Sequence, residues 1–152
     1  MNKSPLNYLL CMALGVVLWV VTAIFYGGAF SEALILANTT PEAFLGHLRI
    51  VLGVAAFAGV FNCIYWFYYG SLEEVAGKLG EAKRFWRVSF ILQIILSVAL
   101  LFILVLMNLS EGVHTSFWLI IFGLLSLHTW FFFWLCTYFM SPRPVKNIPL
   151  FR

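Results

Sequence analysis

Four long apolar stretches, separated by short polar ones, make up most of this chain. They run over about residues 8–29, 44–69, 86–108 and 116–140. Each reaches or exceeds the roughly 20 residues that a helix needs to cross the hydrocarbon core of a bilayer. A spanning segment must satisfy its backbone internally, so helix is the expected conformation. The pattern predicts an all-α polytopic membrane protein: a bundle of four transmembrane helices forming one membrane domain over residues 1–152.

The connectors carry the stop and start signals. After the first run, residues 30–43 read as a loop, and Thr40-Pro41 has the form of an N-cap followed by proline at the first helical position. Residues 70–85 form the most charged stretch, with Ser71 and Glu74 at capping-box spacing. Residues 109–115 are a tight turn. Pro142 and Pro144 then close the fourth helix and lead into a basic tail over 141–152. The first run is too long for a signal-peptide core of 7–15 residues and is read as a helix that stays.

Charge sets the threading. Of the nine Lys and Arg residues, all but Arg49 fall in the N-terminal segment, the 70–87 stretch or the tail. Basic residues concentrate on the cytoplasmic side of membrane proteins, so both termini and the 70–85 loop are expected to be cytoplasmic. Composition excludes a water-soluble domain: 63% of residues are hydrophobic and only 10% charged, against about 25% charged in soluble proteins. The net charge of +3 follows from those basic loops and is no footprint for nucleic acid. A bacterial inner membrane is the expected location.

The aromatic stretch Leu124–Tyr138, LLSLHTWFFFWLCTY, carries one side chain that titrates near neutral pH, His128, near its middle. Taking the run centres near residues 18, 57, 97 and 128, the rise of ~1.5 Å per residue converts sequence to depth. His128 and Ser97 then lie near the midplane, with Asn62 ~7 Å and Gln93 ~6 Å to the cytoplasmic side. These four form a candidate intramembrane polar cluster, with Ser97 or a backbone carbonyl as the expected partner of His128 and a hydrogen bond between Asn62 and Gln93. Polar side chains in lipid pin helix packing at about 0.6 kcal/mol each, which is the structural reading. An ionisable residue at that depth is also a functional candidate. The second run reads Gly53-Val-Ala-Ala-Phe-Ala-Gly59 at its centre, and Gly53, Ala55 and Gly59 are the expected helix-packing positions. His128 should therefore face Ser97 or this thin helix, sharing a face with Leu124, Leu125, Phe131, Phe132 and Leu135 and leaving Trp130 and Phe133 less covered.

Other side chains are of types that serve metal or cofactor chemistry. His47 and His114 fall on the external side with Glu42 and Glu111 near in sequence, a weak candidate for a divalent metal. A haem shared by His128 and His47 is excluded within one chain, because their depths differ by ~15 Å. Cys11, Cys63 and Cys136 fall at similar depths on three runs. Cysteine packs as a small hydrophobe, so free thiols filling the interior are the expectation, with no metal assigned. No cofactor is predicted beyond bound lipid. No serine-protease set, P-loop, glycine-rich nucleotide loop or His/Glu metalloprotease pattern occurs.

These features point away from an enzyme. The expected function is a non-catalytic subunit or assembly partner of a larger membrane complex, with the bilayer and other membrane subunits or further copies of itself as partners. The alternative is a membrane redox or lipid-handling enzyme holding a quinone, haem or lipid near His128. A third reading, an oligomeric transporter or channel, needs several copies, since four helices are few for a pathway.

Overall fold

The computed structural model describes residues 4–36, 41–70, 79–108 and 113–141. Among them there are helices and no strands. Helix α1 spans Pro5–Leu36, α2 Pro41–Tyr65, α3 Leu79–Met107, α4 Thr115–Ser126 and α5 Phe132–Met140. A π-helical turn, Trp66–Gly70, ends α2, and a second, Leu127–Phe131, joins α4 to α5. Four helices are long and apolar enough to cross a membrane: Pro5–Glu32, Glu42–Tyr68, Gly80–Met107, and Thr115–Met140 as one continuous rod through the π turn.

Two helices are longer than the apolar pattern alone suggests. Helix α1 continues through SEALIL to Leu36, a stretch assigned above to the first loop. Ala, Leu and Glu are strong helix formers, and no proline interrupts the chain before Pro41. Helix α3 begins at Leu79, within the charged stretch, with Glu81 in its first turn where the helix dipole favours an acid. The Thr40 N-cap, the Ser71/Glu74 capping box and the tail beyond Ser141 lie outside the described residues.

The helices run up and down. The proximal end of the bundle gathers the start of α1, the end of α2, the start of α3 and the end of α5. There the Asn7 side-chain amide donates to the Met140 carbonyl (3.1 Å), and Tyr8 meets Phe67 edge-on. The distal end gathers the other termini, where Phe30 packs on Phe117 and Phe44 on Trp118.

Two apolar cores fill the bundle. The distal one is aliphatic, built on residues such as Leu48, Leu52, Leu104, Ile121 and Leu125. The proximal one is aromatic and sulfur-rich, with Trp66, Trp86, Phe133 and the three cysteines. Helix α4–α5 is the most enclosed, with half of its apolar window buried, against 17% for α1.

Small residues set how closely the rods approach. At Gly59 an added Cβ would collide with the His128 carbonyl oxygen, so α2 and the π turn are in backbone contact. At Gly15 an added Cβ would strike a Val60 methyl. The Phe132 ring reaches both glycines, coming within 3.5 Å of a Cβ built on Gly15 and 3.4 Å of one on Gly59. Gly53 faces Trp19, and Ala55 is fully buried.

The inward face of the fourth rod departs from a straight helix. Leu124, Leu125, His128 and Phe132 are buried as expected, but Phe133 is buried too, while Phe131 is 37% exposed. The cause is the π turn. The Phe132 N–H bonds the Leu127 and Thr129 carbonyls and skips that of His128. A π turn holds one extra residue, which rotates everything beyond it by about 100°. Beyond the turn the inward positions are therefore Phe133, Cys136 and Thr137.

Candidate functional site

Between the two cores lies a layer of buried polar side chains: Thr22, Gln93, Ser97, Ser126, His128 and Thr129. His128 is 1% exposed. Its Nδ1 lies 2.8 Å from the Leu124 carbonyl, which can only accept, so Nδ1 carries a proton. Its Nε2 lies 3.0 Å from the Thr22 hydroxyl. In the neutral ring Nε2 is the acceptor and Thr22 the donor. Thr22 also lies 2.8 Å from the Leu18 carbonyl, to which its proton can turn instead.

The partner of His128 is thus Thr22 on α1, not Ser97. Ser97 is fully buried, but its hydroxyl donates back to the Ile94 carbonyl (2.7 Å). Asn62 does not bond Gln93; its amide points to the Ser89 carbonyl at 3.5 Å, at the limit of a hydrogen bond. Gln93 Oε1 and the Ser126 hydroxyl are buried without a partner among the described residues. Of the predicted four, Gln93, Ser97 and His128 share the buried layer without forming one network, and Asn62 is only partly buried. Thr22 was missed, although it is the one Ser or Thr in the first apolar run.

The metal candidates around His47 and His114 do not assemble among the described residues. His47 Nδ1 pairs with Asn108 Oδ1 at 3.1 Å, joining α2 to the end of α3. His114 Nδ1 pairs locally with the Ser116 hydroxyl (3.2 Å) in an exposed position. Glu42 is exposed, and Glu111 lies outside the described residues.

What does assemble is the set of cysteines. Cys11 from α1, Cys63 from α2 and Cys136 from α5 place their sulfurs within 4.8 Å of one another. All three are free and buried. Among the described residues this is the one grouping of three or more metal-ligating side chains. Equal depth was legible in the sequence, but the rotation that turns each thiol inward was not.

The surroundings hold the trio in place. The Trp86 indole donates to the Thr137 hydroxyl (3.0 Å), which donates in turn to the Phe133 carbonyl (2.7 Å). The Trp66 indole donates to the Ser141 hydroxyl (2.8 Å). Both indoles are fully buried, and Trp86 stacks on Phe133. These bonds tie α2 and α3 to the last helix around Cys136. One turn beyond the thiols toward the proximal end stand Asn7, Phe67 and Met140, each four residues from a cysteine, so the sulfurs lie ~6 Å inside that end.

No protein-family model, no curated protein and no solved structure matches this chain.

Proposed function

We propose that this is an integral membrane protein whose four helices cross the bilayer with both ends cytoplasmic. In that bilayer it acts as a non-catalytic subunit or assembly partner of a larger membrane complex. The observation that carries this reading is the unequal burial of the four rods. Helix α1 rests on α2 and leaves most of its apolar surface uncovered. Beside that contact the two helices line an apolar groove of about 480 Å³, with Gly15, Trp19, Gly53, Ala56, Phe57 and Phe61 on its walls. A groove of this kind can take side chains of another helix, and helices associate in lipid by such packing. An acyl chain fills the same space where no protein does.

A cofactor ligated by His128 has less support. Both ring nitrogens have partners inside the bundle, and the ring does not line the groove.

Extraction in mild detergent followed by native mass measurement tests the proposal. The expected result is a species carrying additional protein chains. Recovery of a single 17.3 kDa chain carrying lipid alone, in every mild detergent tried, would overturn it.

A further inference from the structure

We propose that Cys11, Cys63 and Cys136 form a binding site for monovalent copper, held by three sulfurs between helices α1, α2 and α5. The site does not depend on the chain having a partner subunit.

Two features of the trio select the ligand, and a third bears on its charge state. First, the donors are all sulfur. No carboxylate or imidazole belongs to the group among the described residues, which excludes hard cations such as magnesium and calcium and favours soft ones. Second, there are three donors rather than four. Structural zinc sites are almost always four-coordinate, whereas copper(I) is selected by soft thiolate ligands. With metal–sulfur bonds of about 2.3 Å, a trigonal site sets its sulfurs ~4.0 Å apart. The observed limit of 4.8 Å needs only a small contraction to reach that. A disulfide would require sulfurs at about 2.05 Å, far closer than any contraction for metal binding. Third, the site is closed to water by Trp66, Trp86 and Phe133, which penalises net charge. Copper(I) brings one positive charge. If two thiols bind as thiolates and the third as a neutral thiol, two protons leave to water and the site carries one net negative charge. A doubly charged ion offsets more charge but lacks a fourth donor from these residue types.

The proximal end of the bundle is the nearer one to the trio, and entry is proposed from there. The Asn7–Met140 hydrogen bond and the Tyr8–Phe67 contact lie one turn outside the sulfurs. Parting them, together with the Trp66–Ser141 bond at the same end, would open the shorter route to the trio.

The test uses the full-length protein, reduced and free of oxygen, in lipid nanodiscs. Copper(I) is titrated in competition with a chromogenic copper(I) chelator. The expected result is one copper per chain held against the chelator, with X-ray absorption giving three sulfur neighbours at about 2.3 Å. Cys11→Ser, Cys63→Ser and Cys136→Ser should each weaken retention by more than the roughly ten- to hundredfold typical of losing an outer-shell partner. Cys63→Ala is the control for folding, because it keeps the position apolar; its melting temperature without metal should stay near that of the wild type while its copper is lost. Zinc(II) titrated the same way should bind more weakly. The proposal is overturned if the wild type yields all copper to the chelator. It is equally overturned if the triple Cys→Ala variant keeps its copper, or if zinc displaces copper at equal concentration.

Discussion

At the scale of single residues, glycine and histidine account for each other. His128 lies at a level where an unpaired polar group is costly, and that cost made its inward direction readable from sequence. Its partner was not readable. Thr22 and Ser97 lie at comparable depths, and which hydroxyl meets the ring depends on how α1 and α3 are rotated about their axes. Apolar periodicity says little about rotation when a helix is apolar all round. Gly59 was readable as a packing position, and the structure adds what it packs on: main chain rather than side chain. A backbone carbonyl cannot turn aside, whereas the Val60 methyl facing Gly15 belongs to a side chain that can shift. Gly59→Ala should therefore destabilise the bundle by at least the 1–3 kcal/mol typical of overpacking, and Gly15→Ala by distinctly less. Thermal melting of the two variants in one detergent checks the order, and equal melting temperatures would contradict the contact at His128.

At the scale of elements, the four apolar runs foretold the four rods because length and composition suffice for that. The helix ends were less legible. The apolar part of SEALIL is too short to span and LGEAKRF is charged, so both read as loop, yet both are made largely of good helix formers. The π turn left no signal in the pattern. It nevertheless decides which half of the aromatic stretch faces inward, since it turns Phe133, Cys136 and Thr137 toward Trp86. Deleting one residue within Leu127–Phe131 should restore a plain α-helix and leave the face of α5 unchanged, because the lost residue cancels the ~100° that the π turn takes up. Inserting one residue just after the turn, between Phe132 and Phe133, should instead rotate the rest of α5 by about 100°. The expected outcome is that Cys136 stays protected from a membrane-permeable maleimide in the deletion variant and is labelled rapidly in the insertion variant. Rapid labelling of the deletion variant would show that something other than the π turn sets the register.

At the scale of the whole molecule, the orientation proposed for the chain rests on the distribution of basic residues, and it is open to direct test. A phosphatase reporter, active only outside the cytoplasm, should be silent when fused after Arg152 and active when inserted between Ser110 and Gly112. The reverse pattern would mean an inverted protein. The orientation also decides which aqueous compartment faces the Asn7–Met140 end of the bundle, and so from which side a metal ion would approach the thiols.

The clasp between Asn7 and Met140 joins positions 133 residues apart in the chain. Synthesis proceeds from one to the other at about 5–20 residues per second. The first helix therefore waits on the order of ten seconds for the last before the proximal end can shut. Cys11 and then Cys63 are made within that interval, before the third sulfur exists. A chain stalled before residue 136 can complete neither the clasp nor the trio, so both belong to the last step of assembly.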